Sequence, residues 1–153
     1  MPFLPKKPKN KTMTMPQPNP TITFMMPIQD KQDFIIEQIN AIFRFSEHYG
    51  GFCEILILAG EVDALRLKLA WLAMKLNKIS HPQVRTRMIC YTSKPDLPSL
   101  IETGINQALG QKIIIATSTP EIVENAEIND VSQREILLIR YALDVNALQE
   151  NLA

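Results

Sequence analysis

Apolar positions along this chain fall into short unbroken runs, separated by longer stretches in which they recur at helical spacing. The clearest run is Cys53-Glu54-Ile55-Leu56-Ile57-Leu58-Ala59, introduced by Gly51-Phe52 and followed by Gly60-Glu61-Val62-Asp63. It is too short for a typical helix and is bounded by turn residues, as a strand buried on both faces of a parallel sheet would be. Thr21 to Met26, stopped by Pro27, predicts a strand before it; Val84 to Tyr91 and Lys112 to Thr117 predict two after it. Between the strands, Ile35, Ile39, Ile42 and Phe43 mark an amphipathic helix reaching about His48. Ala64 through Leu76 predicts a second helix, so rich in Leu and Ala that it is expected to be well buried. Leu100, Ile101, Ile105 and Leu109 form the inward stripe of a third, with Pro98 in its first turn and Gly110 at its end. Asp30 or Asp33 is a candidate cap for the first helix and Asp63 for the second.

After Pro120 the pattern is weaker. An acidic segment runs to Asp130, and Ser132-Gln133-Arg134-Glu135 fits a capping box. Leu138, Tyr141, Ala142, Val145, Leu148 and Leu152 then predict a last helix; the alternative is a strand across Ile136 to Tyr141. Strands alternating with helices predict a three-layer αβα domain with a mainly parallel sheet of about four strands. Arg85 and Arg87 alternate at the start of the third strand, as on the solvated face of a sheet edge. Residues 1–20 hold six prolines and Lys6, Lys7, Lys9 and Lys11 without an acid, which predicts a disordered or extended basic arm ahead of a single domain over 21–153.

Composition narrows the partners. Sixteen lysines and arginines balance sixteen aspartates and glutamates, which argues against nucleic acid as a ligand. Cys53 and Cys90 both fall in strands expected to be buried, so they read as reduced core residues rather than a disulfide or metal pair. His48 and His81 are isolated and read as surface or capping residues. No run is long enough to span a bilayer and the lysines near the amino terminus precede no apolar stretch, so cytoplasmic residence is the expectation. GxGxxG and Walker glycine patterns are both missing.

In open α/β sheets ligands bind beyond the carboxyl ends of the strands, so the loops that leave them carry the candidate chemistry. Taken together, these loops resemble the amino-terminal, nucleotide-binding half of GT-A glycosyltransferases of the polyprenyl-phosphate (dolichol-phosphate) sugar synthase type, over about Thr21 to Thr119. Met26-Pro27-Ile28-Gln29-Asp30-Lys31 looks like that family's apolar strand, proline and polar-acidic turn. Glu54 to Gly60 looks like its second strand, and Ser93-Lys94-Pro95-Asp96-Leu97-Pro98 stands in place of its lysine-rich glycine loop. Lys112 to Thr119 sits where its fourth strand delivers a metal-binding Asp-x-Asp.

The resemblance implies a nucleotide-diphospho-sugar transferase-like, Rossmann-like domain whose nucleotide site is formed by Pro27, Gln29, Asp30, Ala59, Gly60, Glu61, Lys94, Thr117 and Ser118. The family's carboxylates are missing: Ala59-Gly60 replaces one acidic pair and Ala116-Thr117-Ser118 the other. Hydroxyls do not replace anions around a hard divalent cation, so neither a metal nor another cofactor is expected. The implied function is a glycosyltransferase-like binding or assembly module without metal-dependent transfer. One alternative is a metal-independent nucleotide-sugar transferase or hydrolase, with Lys94 on the phosphates and Asp30 or Glu61 holding the nucleoside or acting as base. Another is a self-associating structural protein, dimerising through its last helix.

Overall fold

The computed structural model describes residues 20–28, 34–60, 64–92, 95–126 and 134–142. Five strands, β1 (Ile22–Ile28), β2 (Cys53–Ala59), β3 (Arg85–Cys90), β4 (Lys112–Ala116) and β5 (Glu135–Ile139), form one sheet in the order β3-β2-β1-β4-β5. Every neighbouring pair is parallel. The crossovers are α1 (Ile35–Tyr49), α2 (Ala64–Ser80), α3 (Leu97–Gln107) and α4 (Pro120–Glu124). Crossovers of one hand place α1 and α2 on one face while the chain steps outward to β3, and α3 and α4 on the other once it returns past β1 to β4. The two apolar clusters follow that division, one gathering α1 and α2 and the other α3 and Val123 of α4.

β1 and β2 are buried along their whole length, as their unbroken apolar runs require. Alternate residues serve opposite layers: Phe24 and Met26 face α1, whereas Met25 faces α3. Gly104 lets α3 approach the sheet closely, since a Cβ there would lie 2.4 Å from Leu58 Cδ1 and 2.5 Å from Met25 Sδ. Gly50 ends α1 in the left-handed conformation at φ 75°, which a glycine adopts without steric cost.

Several expectations are corrected. The sheet has five strands, because residues 135–139 form β5 beside β4 instead of opening a helix. The remainder of the predicted last helix, from Leu143 on, lies outside the described residues, as do Asp30, Asp33 and Asp63 as caps and the arm over 1–19. α1 starts after Phe34, which has φ 60° and supplies no side-chain cap. Pro27 does not stop β1 but lies within it. Gly110 does not close α3 in a left-handed turn; it is small because a Cβ would come within 2.5 Å of the Thr23 backbone nitrogen. α2 is not well buried: it sinks Ala70, Ala73 and Met74, half-buries Leu67 and leaves Leu65, Leu69, Leu72 and Leu76 outside. Cys53 is buried as expected, whereas Cys90 is exposed.

Burial pushes the Cys53 thiol up from its ordinary 9.0 to about 11, against a smaller opposing pull from the Ser46 hydroxyl. The unfolded thiol ionises first, so the stability from burying it neutral is complete below pH 9.0 and is lost as pH rises towards 11. Urea titrations of wild type and Cys53→Ala between pH 8 and 11 check this. The wild-type curve should fall more steeply by roughly 2 kcal/mol across that window. Parallel curves would show that Cys53 ionises as an exposed thiol does.

Candidate functional site

In an open α/β sheet of this order a ligand crevice is expected at the carboxyl ends of the strands, between β1 and β4. The β1–β4 ladder runs from Ile22 opposite Lys112 to Met25 opposite Ile115, whereas β1 stays with β2 as far as Ile28 opposite Ala59. Pro27 has no amide to donate, and it sits where β1 has already left β4. The chain departs from β1 towards one face and from β4 towards the other, so this is the topological switch point of the sheet.

Beyond β4, Thr117 continues the backbone pairing by donating to the Ile139 carbonyl at 3.0 Å. Its buried hydroxyl accepts from the Thr119 amide at 3.2 Å, tightening the turn into α4. Arg140, just past β5, clasps this turn: Nη1 donates to the Ser118 carbonyl at 2.8 Å and Nη2 pairs with Glu121. On the other side, Phe34 stands half-exposed at the start of α1. Its ring meets Tyr141 edge-on, with centroids 5.4 Å apart. The Ala142 amide, donating at 3.0 Å to Oε1 of the buried Gln38, fixes the chain that carries Tyr141. Hydroxyls and a guanidinium on one flank and an aromatic pair on the other can hold an anionic group attached to a flat ring.

Of the residues expected here, Thr117, Ser118 and Pro27 stand at or beside the crevice. Ala59 and Gly60 are buried. Gly60 donates to the Ile28 carbonyl at 3.1 Å, while the Ala59 carbonyl accepts from Tyr91 at 2.9 Å, so both serve the sheet. Gln29, Asp30, Glu61 and Lys94 lie outside the described residues. Among the described residues, no three His, Cys, Asp or Glu side chains are grouped to hold a metal. Phe34, Arg140 and Tyr141 are not site candidates in the sequence, where Tyr141 reads as part of the last helix or the end of the alternative strand. Tyr141 and Arg140 could have been found by reading 136–141 as a strand, since residues after a strand's carboxyl end are site candidates.

The opposite end of the sheet holds the most concentrated charge. Glu54 is completely buried, and its carboxylate accepts from Thr23 Oγ1 at 2.8 Å, Arg87 Nε at 2.8 Å and the Leu109 amide at 3.1 Å, with Arg85 Nε at 3.8 Å. The carbonyls at the end of α3 are met by Arg87, at Gln107, and by Arg134, at Ile105, Ala108 and Gly110. Cations suit the negative end of a helix dipole. A cavity of about 400 Å³ alongside is lined by Lys78, Arg85, Arg87 and Phe52 among others. It lies at the amino ends of β2 and β3, away from the crevice. Arg87 therefore turns inward to a buried acid, whereas Arg85 stays half-exposed on the edge strand, as the sequence suggests.

No protein-family model matches this sequence, and no curated protein matches it. Solved structures similar to it are a universal stress protein family member from Burkholderia pseudomallei (10% identity, 78% of this chain and 95% of that one, TM-score 0.47) and the universal stress protein from Archaeoglobus fulgidus in complex with dAMP (9%, 78% and 98%, 0.45). A second Archaeoglobus fulgidus universal stress protein structure is similar at 10% identity over 78% and 93%, with a TM-score of 0.44. The glycosyltransferase resemblance is corrected: the similar structures named above are universal stress proteins and not glycosyltransferases, and the GT-A, nucleotide-diphospho-sugar transferase and sugar-synthase readings fall with it. The physical reason is that alternating strands, turns and helices in this order arise in any doubly wound sheet, and the residues that would single out a glycosyltransferase are the missing carboxylates. The architecture rests on the sheet itself: a three-layer, Rossmann-like α/β fold with a parallel five-stranded sheet.

Proposed function

We propose that this chain is a ligand-binding domain whose crevice between β1 and β4 takes a nucleotide. Its base lies by Phe34 and Tyr141, and its phosphate is directed to the Thr117-Ser118-Thr119 turn and Arg140. The observation that carries this is the early parting of β1 from β4 at the switch point, flanked by an aromatic pair on one side and a hydroxyl turn clasped by a guanidinium on the other. In its described part, the β4 turn presents one acid, Glu121, and Arg140 already neutralises it. A phosphate approaching there meets no unpaired carboxylate from that turn.

Isothermal titration with dAMP, AMP and ATP, without added metal, tests the reading. Saturable binding of at least one nucleotide is expected, weakened about tenfold, or ~1.4 kcal/mol, by Phe34→Ala and by Arg140→Ala. Circular dichroism should confirm that both variants remain folded. Heats that never saturate at millimolar nucleotide, or affinities that both substitutions leave untouched, would sink it.

A further inference from the structure

α2 has two apolar faces, and the protein uses one. Ala70, Ala73 and Met74 meet the core, whereas Leu65, Leu69, Leu72, Leu76 and Ile79 stand outside, 42% to 78% exposed. The exposed residues are spaced four, three, four and three apart, the a/d repeat of a coiled-coil seam. At roughly 100° per residue they lie in a strip about 80° wide, centred about 130° round the helix from the core-facing residues. A straight strip of five large aliphatic side chains is more than the scattered apolar residues of an ordinary surface.

The charges around the strip select what covers it. α2 carries Arg66, Lys68, Lys75 and Lys78 and no acid. Lys68 and Lys75, one heptad apart, run down one shoulder at the position that faces a partner's flanking residues. A second copy docking α2 antiparallel on α2 would set these lysines against their own counterparts, which is repulsive, and a parallel copy would offer them no acid, since α2 has none. A lipid surface takes a broad apolar face, wider than a narrow a/d stripe. A helix with its own apolar a/d seam and acidic flanks satisfies both the strip and its shoulder.

We infer that the outward face of α2 docks an amphipathic helix from a partner protein, with Leu or Ile on its seam and Glu or Asp opposite Lys68 and Lys75. This surface is separate from the crevice and does not depend on the nucleotide reading. Trp71, the chain's single tryptophan, is exposed beside the shoulder with the Lys75 ammonium 4.8 Å from its ring centroid, so engaging Lys75 alters the intrinsic fluorescence.

The probes are two synthetic peptides of about three heptads with Leu at a and d, one bearing Glu at e and g and the other Lys. Titrated into the full chain and followed by Trp71 emission, the Glu peptide should bind saturably and at least about tenfold tighter than the Lys peptide. The Leu72→Ser/Leu76→Ser variant should lose about tenfold or more in affinity at unchanged circular dichroism, because both side chains are already exposed. Lys68→Glu/Lys75→Glu should reverse the preference. The inference is overturned if neither peptide binds, or if both bind equally. It is equally overturned if sedimentation shows a dimer that Leu72→Ser/Leu76→Ser dissolves, or if phosphatidylglycerol vesicles bind through the same leucines while the Glu peptide does not.

Discussion

Glu54→Ala is expected to destabilise the fold by about 3–5 kcal/mol, the scale for removing one partner of a buried ion pair. The carboxylate sits on β2 and draws in Thr23 from β1, Arg87 from β3 and the Leu109 amide from the α3–β4 connection. Deleting it leaves a hydroxyl and an amide short of an acceptor and a guanidinium short of its anion. Each unmet buried group costs about 1–3 kcal/mol, more when charged. Removing both charges is milder: Glu54→Leu combined with Arg87→Met should cost less than the sum of the two single changes, with a coupling above about 1 kcal/mol. Urea unfolding of the four proteins measures the cycle. A single-variant loss under about 1 kcal/mol, or strict additivity, would mean that the cluster does not hold the sheet to the α3 connection.

Phe24→Ala is the second large effect, about 3–5 kcal/mol, from lost burial and the cavity left behind. Phe24 is fully buried on the central strand and meets Phe45 of α1 edge-on at a centroid distance of 5.4 Å. Its neighbours in register, Ile55 and Ile114, are also completely buried, so little can relax into the space. Phe24→Leu should retain more than half of the lost stability. Thermal and urea unfolding check both, and a loss near 1 kcal/mol for alanine would show that α1 repacks onto the sheet.

The first four strands and three long helices were readable in the sequence for one physical reason. A central strand covered on both faces must be continuously apolar, and an inward helical stripe must repeat with the helix turn. The fifth strand was harder. Glu-Ile-Leu-Leu-Ile is short, its preceding Ser-Gln-Arg-Glu mimics a helix start, and local pattern alone does not reveal the vacant edge of β4 that it pairs with. α2 failed differently. Its leucines show that apolar surface exists, but how much is covered depends on neighbours, and a helix packed beside α1 on its face has only part of its surface met. Glu54 was likewise hidden inside an apolar run. Its phase matches Arg85 and Arg87 on the next strand, a signal that acquires meaning only once β2 and β3 are known to be adjacent.

The chain alone therefore determined the layers and the parallel sheet, because burial on two faces leaves its mark residue by residue. Tertiary structure decided the rest: which strand closes the sheet, where β1 parts from β4, which arginines turn inward, and which side of α2 faces out. Each of those depends on what lies across a gap in space, and neighbours distant in sequence leave no local periodicity.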